Sequence, residues 1–371
     1  MTAVADRADV DFDVEEPTPN TVVRREVRRH TRSRTREDDA NLVGATAASL
    51  ATTWLLYEVV LPFSGKVGFV IAWYVVFLLF YAGITGLTRP RHVVIDRLVT
   101  TMVVAAPVLV GVAVLSTVVF TVIKGFSALA HVNFYTSDMS GVRGQDGFSR
   151  GGVLHAMVGT LIEVGMAVAI ALPLGVATAV YMAEVGGRLS RIVRTVVEAM
   201  TALPSIVAGL FVYTVLNVDL HFPRSGFAAA LALTVMGLPI MARASDVVLR
   251  VVPGGLREAS YALGAGRLQT VWRVVLPTAR PGLATALILG IARMVGETSP
   301  LILTSGASSF FNSDPLNNPM NSLPLFIFDS VGSGEPRLEQ RGFAAATVLL
   351  VIVVALFLTA RLIARGRMRT R

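Results

Sequence analysis

The chain is poor in the residues that build most soluble active sites. Its 371 residues include no cysteine, which excludes disulfides and thiolate metal ligands. The five histidines are scattered and do not follow the spacing of a metal-binding motif. Charged residues make up 16% of the sequence, whereas a typical soluble domain carries about 25%. A soluble metal or thiol enzyme is therefore not predicted.

Two further signatures of catalysis are missing. No stretch reads G-x-x-x-x-G-K-[ST], the loop that cradles nucleotide phosphates. No arrangement of Ser, His and Asp, or of Cys and His, predicts a nucleophilic site. The sequence therefore predicts a protein that is no enzyme and has no cofactor and no metal. Any ATP hydrolysis that it needs belongs to a separate subunit.

Apolar sequence is abundant instead. Hydrophobic residues make up 53% of the chain, and the mean hydropathy is +0.64. Several apolar runs reach about 20 residues, the length that a helix needs to cross a bilayer. The sequence predicts an all-α integral membrane protein with about eight spans, at 42–62, 67–87, 98–123, 153–182, 199–217, 226–249, 281–304 and 342–363.

The basic residues are distributed unevenly about these spans. Of the 33 lysines and arginines, 24 lie on the side that holds both termini and 7 on the other, while Arg243 and Arg293 fall within spans. The positive-inside rule then predicts that both termini are cytoplasmic. The sequence pI near 10.4 comes from these membrane flanks, so no nucleic-acid partner is predicted.

The apolar pattern divides the chain into four parts. Residues 1–41 are acidic and then arginine-rich without an apolar run, which predicts a disordered cytoplasmic tail and no signal peptide. Residues 42–97 hold two helices, residues 98–363 hold six, and residues 364–371 form a basic cytoplasmic end. The loops at 124–152 and 305–341 are the longest on the other side and are predicted to form a lid or a landing surface.

Residues 252–282 do not read as an ordinary loop. The segment VPGGLREASYALGAGRLQTVWRVVLPTARPG predicts two short amphipathic helices separated at Gly264 and Gly266. We expect Pro277 and Pro281 to mark the turn into the next span. Such a pair of helices suits docking into a groove of a partner. The alternative is an interfacial helix that lies on lipid headgroups.

The spacing within this segment is specific. It reads Glu258-Ala259-Ser260, three residues, Gly264, nine residues, Val274, one residue, and then Leu276-Pro277. This resembles the EAA loop of ABC importer permeases, in which Glu-Ala-Ala, Gly, Ile and Leu-Pro follow the same spacing. Ser260 and Val274 depart from that pattern by small steps in size. The resemblance implies a coupling helix that sits in a cleft of an ATPase subunit.

Other stretches resemble the phosphate-specific permeases of the PstA type. They are GGVLHAMVGTLIEV (151–164), ALPLGVATAVYMAE (171–184), LPSIVAGLFVY (203–213), GLPIMARASDVVLRVVPGGLREAS (237–260), ARMVGETSPLI (292–302) and NSLPLFIF (321–328). The resemblance implies a type I-like six-helix permease core preceded by two extra helices, in a bacterial cell membrane. It also implies four partners besides membrane lipid: a homologous second permease subunit, an ABC ATPase dimer, an extracytoplasmic phosphate-binding protein, and phosphate as the substrate. Phe326 departs from the family, which often has glutamine there.

Arg293 and Glu297 lie inside the apolar run 283–306 and share one helix face. A charge at mid-bilayer costs about 2.5–3.5 kcal/mol on insertion scales, so such residues pair or face water. One interpretation is an ion pair that orients the helix. The other is a translocation path, in which the guanidinium binds phosphate and the carboxylate moderates the affinity. Thr298 and Ser299 would then supply hydroxyl donors.

Three further polar sites receive supporting roles. Arg243 and Asp246, three residues apart in the sixth span, are predicted to pair and to position the coupling segment. Pro204 and Ser205 open the fifth span and are predicted to kink it towards the pore. Glu163 is expected near the outer end of its span, where its carboxylate reaches the interface.

Three other functions remain open at this point. The first is a permease for another oxyanion, such as molybdate, tungstate or sulfate, with the same architecture. The second is a secondary transporter driven by an ion gradient, with Arg293 and Glu297 as a relay. It would leave the 252–282 segment without a role, and we find no convincing internal repeat to support it. The third is a membrane scaffold or sensor without transport activity.

Overall fold

The computed structural model describes residues 36–60 and 65–366, which are almost entirely helical. The predictions for residues 1–35 and 367–371 lie outside the described residues. In chain order the helices are α1 (Arg36–Trp54, continued by a π-helical stretch Leu55–Val60), α2 (Lys66–Thr88), α3 (Arg91–Leu129), α4 (Asn133–Thr136), α5 (Leu154–Val180, continued by π-helical Tyr181–Val185), α6 (Gly187–Thr201), α7 (Ser205–Val212, continued by π-helical Tyr213–Asp219), α8 (Gly226–Val251), α9 (Gly254–Ala262), α10 (Arg267–Thr270, continued by π-helical Val271–Val275), α11 (Leu276–Val295), α12 (Ser299–Thr304), α13 (Leu323–Val331) and α14 (Pro336–Gly366).

The prediction of an all-α membrane protein with about eight spans is confirmed. Within the described ranges, seven helical segments are long and apolar enough to cross a bilayer, and an eighth span arises if one bent helix pair counts as one. The segments are Asp38–Val60, Lys66–Thr88, Arg91–Leu129, Leu154–Val185, Gly226–Val251, Arg267–Val295 and Pro336–Thr359.

The first helix starts earlier than the sequence predicts. We predicted a disordered tail up to residue 41, but α1 begins at Arg36. Asp38 explains the difference, because its buried carboxylate lies 2.8 Å from Arg97 Nη2 and 3.7 Å from Arg89 Nη2. These ion pairs fix the first turn of α1 next to the start of α3, which itself begins at residue 91 and not at 98.

The fifth predicted span, 199–217, is not a continuous helix. The helix is interrupted between Thr201 and Ser205, and the axes of α6 and α7 are bent there by 105°. Pro204 is the physical cause, since it disfavours helical geometry at the residue before it and has no N–H to donate. Its carbonyl instead accepts from the amide of Val207 and so starts α7.

The seventh predicted span, 281–304, is displaced towards the N-terminus. One helical segment runs from Arg267 to Val295 and passes through Pro277 and Pro281 without a turn, so the predicted turn at these prolines is wrong. Pro277 has no N–H to donate, and the helix immediately before it is π-helical, from Val271 to Val275. The helix ends where the amide of Gly296 closes on the carbonyl of Arg293.

The described residues form two compact units, one up to Val110 and one from Gly111 onwards, and α3 crosses the boundary between them. In the first unit, α1 packs on an aromatic row of α2. The rings of Phe77 and Tyr81 stack at a centroid distance of 5.8 Å. The indole N–H of Trp73 donates to the hydroxyl of Ser49 at 3.1 Å, which joins the two helices.

The second unit is organised around α5 and α8, which pack closely along each other. Their contact surface consists mainly of small residues, including Ala167 and Ala171 on α5 and Ala229 on α8. A β-carbon placed on Gly175 would lie 3.1 Å from the β-carbon of Met241, which is a tight contact, so the two helices would have to shift slightly to accept a larger residue. Small residues let membrane helices come close, which is the main source of packing energy inside a bilayer.

At one end of this unit, a buried arginine and an aspartate organise the loops. Arg341 of α14 is 1% exposed, and its Nη2 donates to the carbonyls of Asp146, Gly147 and Arg150 at 2.8–3.1 Å. Asp138 accepts from the amide of Phe311 at 2.9 Å, which joins the two long loops. Partial burial would raise the pKa of Asp138, but amide hydrogen bonds outweigh it and hold the pKa below its usual value.

We predict that Arg341→Met destabilises this end of the protein. Three carbonyls lose their donor, and an unsatisfied buried polar group costs about 1–3 kcal/mol. Arg337→Met is the matched control, because Arg337 is exposed and donates to a single carbonyl, that of Gln145. We expect a clearly lower thermal midpoint for the detergent-solubilised Arg341→Met chain and a small change for the control. Equal midpoints would contradict the assigned role.

Candidate functional site

Residues 254–275 form a hairpin of two short helices, which we call the coupling hairpin. Gly264 has φ +81°, a left-handed conformation that favours glycine, and its amide closes α9 on the carbonyl of Tyr261. The buried hydroxyls of Ser260 and Thr270 lie 2.9 Å apart and join the two arms. The sequence prediction of two helices separated at Gly264 is confirmed.

The hairpin presents an exposed apolar tip. Leu263 is 89% exposed, Leu268 72% and Trp272 66%. Of the residues predicted for ATPase coupling, Glu258, Ala259 and Gly264 are exposed, while Leu276 and Pro277 are half-buried at the start of α11. Ser260 is different, because its side chain is buried inside the hairpin and holds the fold of the tip. An exposed apolar tip on a short rigid hairpin is suited to insertion into a cleft.

Arg257 fixes the hairpin to the helix bundle. Its Nη2 lies 2.8 Å from Glu184 Oε1 at the end of α5, and its Nε lies 3.1 Å from the same oxygen. The guanidinium also donates to the carbonyls of Leu249 and Val252 at the end of α8, at 2.9 and 2.6 Å. Sequence analysis missed this contact, because Arg257 and Glu184 are separated by 73 residues and neither falls inside an apolar run.

The predicted pairing of Arg243 with Asp246 is wrong. The buried carboxylate of Asp246 lies 2.6 Å from Arg194 Nη1 on α6 and 3.1 Å from Arg250 Nε one turn further along α8. Arg243 instead lines an open groove between α8 and α11. The spacing of three residues is compatible with pairing, but the direction in which α6 approaches α8 decides which arginine reaches the carboxylate.

An open groove beside Arg243 lies next to the predicted path. It measures about 880 Å³ and lies mainly between α8 and α11. Arg243, Thr201 and Thr285 are its polar lining residues, and the remaining lining is apolar or glycine. The groove is open on one side, so this chain supplies a wall of it and not a closed channel.

Arg293 and Glu297 form the predicted ion pair, with Nε 3.2 Å from Oε1. Arg293 lies in the last turn of α11, one turn beyond Leu289 of the groove lining. Its side chain is 57% exposed, whereas that of Glu297 is 15% exposed. The guanidinium is therefore largely exposed while its carboxylate partner is mostly covered, and a cation at a helix C-terminus is favourable.

Thr298, in the break between α11 and α12, and Ser299, the first residue of α12, are half-buried and close in sequence to the ion pair. Pro204 and Ser205 belong to the other break, where α7 begins. The helices that follow the two breaks are in contact. Helix α7 packs on α12 so closely that a β-carbon on Gly209 would lie 2.5 Å from the Cα of Pro300. Pro204 thus sets the direction of α7 against α12.

Glu163 is a buried polar residue whose position the sequence analysis predicted wrongly. We predicted that its carboxylate reaches the interface, but the residue is fully buried. Its Oε1 accepts from the hydroxyl of Ser305 at 2.8 Å, and that hydroxyl also contacts the carbonyl of Met320. Its Oε2 has no hydrogen-bond partner among the described residues. The sequence signal that could have indicated this burial is a single carboxylate within an apolar run.

Comparison with protein families shows which family the chain belongs to. The model of the family described as "Binding-protein-dependent transport system inner membrane component" matches residues 171–369, more than half of the chain. The chain belongs to this family. The match includes the coupling hairpin, the groove and Arg293, whereas α1 to α3 and Glu163 lie before it.

Individual relatives agree with this assignment. The chain is 41% identical over 241 residues to phosphate transport system permease protein PstA 1 of Mycobacterium tuberculosis (strain ATCC 25618 / H37Rv), covering 65% of this chain and 78% of that protein. It is 33% identical over 259 residues to the PstA permease of Haemophilus influenzae, covering 69% and 89%. A chain in the solved structure of a bacterial alginate ABC transporter has a TM-score of 0.53 at 13% identity, covering 74% and 96%, which shows the same fold.

We predict that Arg257→Met separates the coupling hairpin of this permease from the bundle. The change leaves Glu184 and two carbonyls without their donor, and removing one partner of a largely buried charge pair costs about 3–5 kcal/mol. Arg273→Met, on an exposed arginine of the same hairpin, is the control. We expect Arg257→Met to speed hydrogen exchange of α9 amides while exchange in α5 and α8 is retained. Unchanged exchange in α9 would show that Arg257 does not hold the hairpin.

Proposed function

We propose that the chain is the membrane-spanning permease subunit of an ATP-driven importer of inorganic phosphate. The observation that carries the proposal is its similarity to PstA permeases, at 41% identity over 78% of one such protein. The same family membership favours an ATP-driven importer over a gradient-driven transporter or a scaffold. Catalysis of ATP hydrolysis then belongs to separate subunits, since this chain carries no nucleotide-binding loop.

The groove supports a path shared between two permease subunits. Its open side leaves Arg243 and the C-terminal end of α11 uncovered in this chain, and the hydrocarbon core of the bilayer offers a guanidinium no hydrogen-bond acceptor. A homologous second permease covers this side and completes the path. Apolar walls with few charged groups bind an anion weakly along most of the path, so the anion is able to leave.

Arg293 is the anion-binding group of this path. A guanidinium offers paired, charge-assisted hydrogen bonds to the oxygens of phosphate. Glu297, 3.2 Å from the guanidinium, lowers the positive potential that the anion meets. Thr298 and Ser299, in the break that follows, provide hydroxyl donors next to the pair.

The coupling hairpin connects the path to an ABC ATPase dimer. Its exposed tip, with Leu263, Leu268 and Trp272, inserts into the ATPase, and Arg257 transmits the resulting displacement to α5 and α8. The excess of basic residues on this side supports an orientation with both termini in the bacterial cytoplasm. The loops joined by Asp138 and Phe311 then face outward, where an extracytoplasmic phosphate-binding protein docks.

The experiment is uptake of labelled phosphate into vesicles that contain this chain with its candidate partners. We expect uptake that requires ATP and that excess unlabelled phosphate abolishes. Competition by sulfate and molybdate separates the proposal from the other oxyanions, since a phosphate permease retains its uptake in their presence. Uptake without ATP would contradict the ATP-driven mechanism.

We predict that Arg293→Leu lowers phosphate uptake about ten- to a hundredfold, because the lost charged hydrogen bonds are worth about 1.5–3 kcal/mol. The double variant Arg293→Leu/Glu297→Leu tests the alternative. If the pair only orients α11, removing both charges restores transport; if Arg293 binds the anion, the double variant remains inactive. Assembly with the partners, measured by co-purification, is expected to persist in both. Normal uptake by Arg293→Leu would place the anion site elsewhere.

We predict that Gly264→Ala impairs coupling through the geometry of the hairpin. A left-handed conformation costs a non-glycine residue about 1–2 kcal/mol, which shifts a two-state population roughly 5- to 30-fold. Gly255→Ala is the matched control: a β-carbon meets nothing within 4 Å at either glycine, but only Gly264 has a positive φ. We expect lower ATPase stimulation and uptake for Gly264→Ala and wild-type values for Gly255→Ala. Identical behaviour of the two variants would contradict a role for the hairpin geometry.

A further inference from the structure

Helix α6 is too charged to cross the bilayer. Its 15 residues include Arg188, Arg191, Arg194 and Glu198, and a charge at the centre of a membrane helix costs about 2.5–3.5 kcal/mol. It also meets α7 at 105°, so a membrane-spanning α7 leaves α6 nearly parallel to the membrane plane. We therefore place α6 along the membrane surface.

One side of α6 is held by the protein. Val197 packs with Met182 and Ala242, and the hydroxyl of Ser190 donates to the carbonyl of Met182 at 3.2 Å. Arg194 forms the ion pair with Asp246. This attachment fixes the rotation of α6 about its axis, so its remaining side faces outward in a defined way.

The outward side combines an apolar row and a basic row. Leu189, Ile192 and Val196 are 60%, 59% and 51% exposed and lie three and four residues apart, on one helical stripe. Arg188 and Arg191 are exposed alongside them. Within the part of the chain that the structure describes, neither guanidinium has an ion-pair partner, in contrast to Arg194.

A depression of about 370 Å³ joins the two rows. It is lined by Arg188, Arg191, Ile192, Thr195 and Val196. Basic and apolar groups therefore border the same space, next to the end of α5 from which Glu184 contacts the coupling hairpin.

We propose that this side of α6 binds the headgroup of an anionic phospholipid. Arg188 and Arg191 bind the lipid phosphate through charge-assisted hydrogen bonds, and the acyl chains lie against Leu189, Ile192 and Val196. A helix with a basic row beside an apolar row is typical of segments that lie in the interface of anionic membranes. The apolar row favours a lipid over a free anion or an acidic protein surface, because neither of these would cover it.

The test is native mass spectrometry of the full chain in detergent micelles with added phosphatidylglycerol or phosphatidylcholine. We expect selective binding of phosphatidylglycerol, and about thirtyfold weaker binding by Arg188→Gln/Arg191→Gln, the equivalent of about 2 kcal/mol. Arg143→Gln/Arg150→Gln removes the same charge from exposed loop positions and is the control, with binding expected to stay at the wild-type level. Leu189→Ser/Ile192→Ser is expected to weaken lipid binding while both arginines are retained.

Three outcomes would overturn the proposal. Equal retention of phosphatidylglycerol by the two double arginine variants would show that its binding does not depend on α6. Displacement of the lipid by inorganic phosphate, with no effect of Leu189→Ser/Ile192→Ser, would indicate a site for a free anion. Unchanged lipid binding together with loss of ATPase-subunit binding in Arg188→Gln/Arg191→Gln would assign this side to a protein partner. Thermal midpoints matching the wild type confirm that each variant is folded.

Discussion

Hydrocarbon offers no hydrogen-bond partner, so each polar group that the membrane core buries needs a partner within the protein. At the ends of the helices in the second unit, three arginines supply such partners to carboxylates and carbonyls. Arg341 donates to loop carbonyls, Arg257 to Glu184 and the end of α8, and Arg194 to Asp246. Each is attached to one helix and contacts a different element. The buried charges therefore determine where loops and surface helices attach to a bundle whose apolar surfaces pack without directional preference.

The breaks in the helices obey the same constraint. Irregular backbone in a membrane protein is tolerated where protein covers it, and here the helices that follow the two breaks pack on each other. The break at Pro204 starts α7, and the break after Val295 starts α12. Gly209 of α7 packs directly on Pro300 of α12. The segment that carries Arg293 and Glu297 is thus supported by a neighbouring helix that starts with its own break.

The coupling hairpin is attached to the most closely packed helices of the unit. Arg257 contacts the end of α5 through Glu184 and the end of α8 through Leu249 and Val252. Because α5 and α8 pack through alanine and glycine at short distance, they resist moving relative to each other. A displacement of the hairpin is therefore expected to move both helices together, and α8 lines the groove beside Arg243.

The sequence by itself determined the class of the protein, the approximate number of spans and the two-helix form of the 252–282 segment. These features depend on local properties: apolar runs of about 20 residues, glycines that interrupt a helical pattern, and two opposite charges four residues apart, of which Glu297 lies just beyond the end of α11. The ion pair of Arg293 with Glu297 followed from such spacing and is present.

The tertiary structure alone decided which distant groups meet. Asp246 pairs with Arg194 because of the direction in which α6 returns after α5, and not with the nearer Arg243. Glu163 is buried because the segment around Ser305 folds over it. The two prolines show the same limit of prediction from sequence. Pro204 interrupts a helix and Pro277 does not, because the surrounding backbone decides whether a proline ends a helix. A contact between two residues far apart in sequence leaves no periodic signal in the sequence around either residue. Packing of the whole unit is therefore needed to specify such contacts.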